Sequence, residues 1–272
     1  MSTERARNTL RTLLFRLGLL GLARWIRNLL WTRHFALANQ RYLVDGAPDG
    51  LPIPPASLRI LVAASPDIAW FLDSGLRGAE SIRTVLARNG LTCDGGGPML
   101  DFGCGCGRVL RHFAAFGTAV HGTDLNPKLV KWCRLQLPFG HFETNALEPP
   151  LAFDSERFGL VYALSVFTHL PEELQVAWMQ ELRRVLHPGG HLIITTHGAR
   201  YVAELEPEQR ERFEHGHLVI RRDDRPGSNV CGAYHPEAYV RQHLAQGFRV
   251  IDFVPEGASG NPWQDLWLLK RV

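Results

Sequence analysis

An α/β architecture is what this sequence predicts: a mostly parallel seven-stranded sheet with helices on both faces and a last strand that runs against the others. Three observations lead there. From residue 98 onward, short apolar runs alternate with segments of helical period. A glycine-rich bend separates the first run from the segment after it, and two strand-like runs close the chain with no helix between them. Strands separated by helices return to the same edge and run parallel, whereas two strands joined directly pair antiparallel. At 272 residues and 45% hydrophobic, the chain is long enough for one sizeable core and an appendage.

The appendage comes first. Residues 1–45 read as a basic helical arm: Arg5 to Arg33 include seven arginines and no acid, and Leu22, Trp25, Ile26 and Leu29 share one helical stripe with Arg24 and Arg27 opposite. Such a helix packs on its own domain or on a second copy in a homodimer, or it lies on a membrane surface among anionic headgroups. Its longest charge-free apolar run, Leu17 to Ala23, falls far short of the roughly 20 residues that span a bilayer. Residues 46–94 read as a linker and cap helices. The prolines and glycines of Gly46 to Ile60 break both periodicities, Ser65 and Pro66 open a helix through "DIAWFLDSG", and "SIRTVLARNG" is a second helix that Gly90 stops.

Residues 95–272 read as the main domain. Strands are expected at 98–102, 119–123, 140–144, 158–164 and 190–196, and helices at 107–116, 127–135 and 171–186. Gly117 and Gly140 stop helices, Pro171 starts one, and Leu174, Trp178, Leu182 and Val185 recur at helical spacing before "HPGG" ends it. A helix from Pro236 to about Gln246 precedes "FRVIDFV" and "WQDLWLLKRV", which complete the seven strands. The stretch from about 198 to 235 reads as irregular.

Thirty basic and 27 acidic residues leave a net charge of +3, which does not announce a nucleic-acid partner. Five cysteines, an odd number without framework spacing, point to a reducing compartment, and the start of the chain lacks the signature of a secretory leader. A cytoplasmic protein, peripheral at a membrane if the arm binds one, is the expectation.

The stretch "LDFGCGCGR" carries the functional reading. Gly103, Gly105 and Gly107 follow the first strand at every second position, where the backbone of an open parallel sheet can approach a ligand with no side chain in between. Asp124 ends the second strand, 17 residues after Gly107, where an acid can accept from both hydroxyls of a ribose. A nicotinamide-binding loop needs G-x-G-x-x-G, and Arg108 or Leu110 stands where its third glycine belongs. A nicotinamide-dependent oxidoreductase is therefore the second reading, and a non-catalytic membrane-surface scaffold on the same fold the third.

These residues resemble the class I methyltransferases dependent on S-adenosyl-L-methionine, a Rossmann-like fold whose first motif is an acid followed by G-x-G-x-G, here Asp101, Gly103, Gly105 and Gly107. "FGLVYALSVFTHLPEE" and "LRRVLHPGGHLII" are similar to the fourth- and fifth-strand regions of that family, in particular its bacterial small-molecule and glycan-modifying members. The resemblance implies methyl transfer to a small molecule, with a sugar hydroxyl of a glycan or glycolipid as the preferred acceptor. It implies a cofactor site of Asp101, Gly103, Cys104, Gly105, Gly107, Asp124, Leu125, Asn145, Ala146 and Ser165. In it Asp124 holds the ribose, Asn145 and Ala146 meet the adenine, and Ser165 borders the methyl-donating end. His169 is the candidate general base for a hydroxyl acceptor, or else a residue that bonds the backbone or the cofactor's carboxylate. His197, Tyr234 and His235 stand behind it. Trp70 and Phe71 are either a lid or core, and Arg221, Arg222 and Arg225 either meet an anionic acceptor or are solvated. Cys104 and Cys106 lack a second pair at ligand spacing, so no metal is expected.

Overall fold

The computed structural model describes residues 20–94, 96–228, 230–260 and 263–272. Arg5, Arg7, Arg11 and Arg16 of the basic arm lie outside them, as does the end of the turn at Asn261 and Pro262. The chain divides into two compact units, Met1–Phe71 and Leu72–Val272.

In the first unit, α1 (Leu20–His34) and α2 (Ala36–Asp45) are followed by α3 (Ala56–Ala63) and the start of α4 (Ile68–Arg88). The turn before α4 is tied down by buried side chains. Asn39 donates to the Pro66 carbonyl at 3.1 Å and accepts from the Ile68 amide at 2.8 Å, which satisfies one of the orphan donors of the helix start. Arg59 donates to the carbonyls of Pro66 and Pro54, and the Trp70 indole donates to the Ala63 carbonyl. Two expectations are corrected here. The proline-rich linker already becomes helical at Ala56, and the two expected helices between 66 and 90 are the single 21-residue α4.

The second unit holds the sheet. Its strands are β1 (Met99–Phe102), β2 (Val120–Asp124), β3 (His141–Thr144), β4 (Phe158–Ala163), β5 (Leu186–Thr196), β8 (Phe248–Ala258) and β9 (Gln264–Arg271), in the order β3-β2-β1-β4-β5-β9-β8. β9 runs antiparallel to both neighbours, one place from the edge, as the directly joined pair requires. Helices α5 (Pro127–Gln136) and α6 (Glu172–Val185) connect strands, and Asn126 caps α5 through the Lys128 amide, with Pro127 in the first turn. β1 and β4 have apolar positions on both faces, and the main core gathers Leu100, Phe102, Val161, Trp178, Leu182, Ile194 and Trp267.

Four further expectations are corrected. The helix expected at 107–116 is a 3₁₀ helix over Leu110–Ala119, because Gly107, at φ +73°, lies in the left-handed region and cannot begin an α-helix. "HPGG" lies inside β5, whose ladder takes up the chain as soon as α6 ends at Val185. The C-terminal helix is shorter, α8 (Glu237–Tyr239) running into a π turn over Val240–Leu244. The irregular stretch contains a 3₁₀ helix (Ala199–Glu204), α7 (Pro207–Glu214) and a two-stranded sheet of β6 (Val219–Arg221) with β7 (Gly232–Tyr234).

Candidate active site

β1 and β4 are neighbours although β2 and β3 lie between them in the chain, so the order reverses where the glycine bend leaves β1. That switch point is where open α/β sheets place ligands. The bend is held by its own backbone: the amides of Gly103 and Cys104 both donate to the Thr123 carbonyl at 2.8 Å, and the Gly105 amide donates to the Asp124 carboxylate at 2.9 Å. The other carboxylate oxygen of Asp124 accepts from the Asn126 amide at 2.7 Å. Asp124 thus faces the glycine bend from the end of β2.

The three glycines do different things. A Cβ on Gly103 (φ +86°) would come within 2.4 Å of a Val166 methyl, and one on Gly107 would come within 2.4 Å of Leu137. Those two are bare because the chain packs against them, and Gly105 is the one whose amide meets the acid. Beneath the bend, the thiols of Cys104 and Cys133 reach the Gly105 carbonyl at 3.6 and 3.5 Å, and Cys104 packs against Gly122. All five cysteines are free.

Asp101 is buried beside Tyr162, its register partner on β4. Burial pushes its carboxyl up to about 8; the Tyr162 hydroxyl, near it but outside full hydrogen-bond geometry, pulls it down, the Asp124 charge raises it, and the Arg108 guanidinium lowers it. Between an ordinary carboxyl value near 4 and about 8 the native state holds a proton that the unfolded chain releases, so stability falls as pH rises through that window. Asp101→Asn is expected to remove this loss. Thermal melts from pH 5 to 9 should show the variant gaining on wild type by several degrees toward pH 9, and parallel curves would refute the assignment.

Arg108, which sequence reasoning used only as an absent glycine, is buried and donates to the Ser74 hydroxyl at 3.1 Å and the Gly260 carbonyl at 3.4 Å. Its position directly after the last glycine was the available signal.

On the adenine side suggested by the resemblance, the Asn145 amide nitrogen donates to the Ala146 carbonyl while its oxygen is buried without a partner. Leu125 is exposed between Asp124 and Asn126. Ser165, just past β4, sits at φ +62°, and its amide donates to the Thr195 hydroxyl at 2.7 Å.

His169 ends a short 3₁₀ turn, Phe167–His169, after β4. Its Nδ1 lies 2.8 Å from the Cys231 carbonyl, so Nδ1 carries the proton and Nε2 bears the lone pair. Burial lowers its pKa, with the Cys231 bond pulling back, so the ring is neutral at pH 7. Of the two roles offered for His169, the structure shows the backbone bond, at Nδ1, and leaves Nε2 as the basic nitrogen of the ring. The His169 carbonyl also accepts from Gly227 at 2.8 Å, so the loop before β7 is fastened to this residue twice. A Cβ on Gly227 would strike Leu125 and Leu147, which places that loop beside Leu125, on the side where the resemblance puts the adenine.

The His197 ring lies 6.4 Å from that of His169, edge to face, with Tyr201 at 4.4 Å and Tyr234 at 5.4 Å. Burial lowers His197 to about 4 and His235 to about 3, and His235 Nε2 is held by the Gln175 side chain at 2.9 Å. The rings of His169, His197 and His235 are therefore neutral at pH 7. Arg222 and Arg225 pair with Asp224 and are about half exposed, and Arg221 reaches the Glu204 carbonyl, so the arginines of this loop are solvated or already satisfied.

Comparisons with known proteins agree with this geometry. Residues 100–194 match the profile of a methyltransferase domain. The malonyl-[acyl-carrier protein] O-methyltransferase of Enterobacter lignolyticus is 35% identical over 120 residues, 44% of this chain and 46% of that protein. A ubiquinone biosynthesis O-methyltransferase of Rhodopseudomonas palustris is 24% identical over 199 residues, 66% of this chain and 68% of that protein. The chain thus matches about half to two thirds of the length of these relatives. An S-adenosylmethionine-dependent methyltransferase from Mesorhizobium loti superposes with a TM-score of 0.54 at 18% identity, covering 70% of this chain and 98% of that one. At that identity the likeness shows the fold.

Proposed function

We propose that this chain, whose residues 100–194 match a methyltransferase domain and whose sheet has the class I methyltransferase fold, transfers the methyl group of S-adenosyl-L-methionine to a hydroxyl of a small molecule, with a sugar hydroxyl of a glycan or glycolipid as the preferred acceptor. Residues 95–272 carry the chemistry. The observation that supports it most is the Asp124 carboxylate turned onto the Gly105 amide at the switch point, with the unpartnered oxygen of Asn145 on the same edge. The donor supplies a sulfonium-activated methyl group when bound. Asp124, whose oxygens each have a lone pair beyond the amides they accept, would hold the ribose. Asn145, Ala146 and Leu125 would take the adenine, and Gly103, Gly105 and Ser165 would border the rest. Methyl transfer is an in-line displacement, so the protein mainly aligns the two partners and excludes water. His169 Nε2 takes the proton of the acceptor hydroxyl. The named O-methyltransferase relatives support oxygen as the acceptor atom.

The test is a screen with radiolabelled methyl donor against host extracts and lipid-linked sugars; label in a small hydroxylated product supports the reading, and label only in protein or nucleic acid contradicts it. With the acceptor in hand, His169→Asn is expected to slow turnover roughly 100-fold while changing donor affinity little, because the amide keeps a donor toward Cys231 and loses the base. Wild-type rate should rise with pH through a value below 6.5 and then level off. Unchanged turnover in the variant would remove His169 from the reaction.

The arm supports a second contact. From Leu20 to Val44 there is no acid, and α1 and α2 expose Trp25 (62%), Leu37 (84%), Leu43 (72%) and Val44 (77%) beside Arg27, Arg33 and Arg41. Among the described residues no helix is long and apolar enough to cross a membrane, and basic, aromatic-bearing amphipathic helices suit an anionic lipid surface. Vesicles containing anionic lipid should pellet the full chain in low salt and not a chain lacking residues 1–38. Equal pelleting of both would refute it.

A further inference from the structure

Gln264, the first residue of β9, is 1% exposed and sits among three residues far from it in the chain. Because β9 runs against the parallel strands, its beginning lies at their carboxyl ends, on the side of the candidate site. The direction of each hydrogen bond around it follows from one backbone amide. The Ser165 N–H can only donate, so the Thr195 hydroxyl accepts there and must place its own buried proton elsewhere. The group within reach is Gln264, at 2.6 Å, which therefore turns its carbonyl oxygen to Thr195. Its amide nitrogen then faces Ser165 Oγ at 2.8 Å and His197 Nε2 at 3.3 Å and donates to both. His197 Nε2 must accept, so its proton is on Nδ1, toward the Ala233 carbonyl though outside full hydrogen-bond geometry. Ser165 Oγ also accepts, so its proton is free to point away from Gln264.

We propose that Gln264 is a positioning residue for the reaction: it occupies His197 Nε2 and so leaves His169 as the ring that receives the proton, and it makes Ser165 a donor toward the reacting end of the site. The assignment of roles rests on the methyl-transfer reading; the tautomers do not, so the two can fail separately. Ser165 gains from this arrangement in a second way. A non-glycine residue at φ +62° is costly, and two directed hydrogen bonds hold it there. The titratable groups around His197 are His169, His235, Tyr201 and Tyr234, with Asp265 next along β9 turned to the Glu256 amide. Among the described residues, Gln264 is the one bonded to His197 Nε2.

The experiment is nitrogen-15 NMR of the histidine rings in the ligand-free full chain. His197 is expected as the Nδ1–H tautomer, without titration between pH 5 and 8. Gln264→Glu replaces the amide donor by an acceptor, which should move the proton to His197 Nε2 and raise its proton affinity at least 10-fold, while the His169 midpoint changes much less. With an acceptor identified, the same variant should lower kcat. An Nε2–H tautomer in wild type, or a His197 titration that Gln264→Glu leaves where it was, would overturn the proposal. If that variant does not fold, the wild-type tautomer alone decides.

Discussion

An Asp124→Ala variant is expected to bind S-adenosylhomocysteine at least about 100-fold more weakly than wild type by calorimetry. Hydrogen bonds to a charged partner contribute about 1.5–3 kcal/mol each, and two ribose hydroxyls lost together correspond to roughly two to four powers of ten in Kd. Asp124 ends β2, the strand beside β1, so its side chain emerges next to the switch point, and its two amide contacts orient it toward the bend. Asp124→Asn keeps the shape and one accepting oxygen, and should lose less. The same calorimetric titration on both variants separates loss of the hydroxyl acceptor from loosening of the bend. A 10-fold or smaller change for Asp124→Ala, in a folded protein, would mean the ribose is held elsewhere.

The largest effect on stability is expected from a residue with no part in the chemistry. Gly75 lies in the interior of α4, where alanine is the better helix former by about 1 kcal/mol. Yet a Cβ there would stand 2.1 Å from the Arg108 carbonyl oxygen, and backbone cannot move aside as a side-chain tip can. Gly75→Ala should therefore destabilise the protein by about 3 kcal/mol or more, toward the upper end of overpacking penalties, and lower Tm by roughly 6–12 °C. Because Arg108 follows the bend directly, donor affinity should fall with it. A variant as stable as wild type would show that α4 does not lie against the bend as described.

This glycine also explains why part of the fold was hidden in the sequence. Gly75 closes the first of the two helices expected there and Gly78 falls between them, whereas both are contact points of one helix, and a Cβ on Gly78 would stand 3.0 Å from a Val109 methyl. Local pattern cannot distinguish a glycine that breaks a helix from one that admits a neighbour, since the neighbour is distant in the chain. The central strands β1 and β4 were legible because burial on both faces makes them continuous apolar runs, and the reversed last pair followed from the missing crossover. Asp101, the glycines and Asp124 were legible because consecutive elements bring them together. Gln264, Thr195 and Tyr162 were not, because sheet pairing alone joins them to residues up to 99 positions away. The loop between 198 and 235 was legible only as polar; its fastening to His169 at Cys231 and Gly227 uses backbone groups that carry no sequence signal.

The most direct measurement is a crystal structure of the full chain with S-adenosylhomocysteine bound at saturation. The account predicts the ribose hydroxyls on the Asp124 carboxylate, with the adenine against Leu125 and the Asn145 oxygen. Ordered ligand bound away from Asp124, or a glycine bend with no nucleoside against it at saturating ligand, would contradict it.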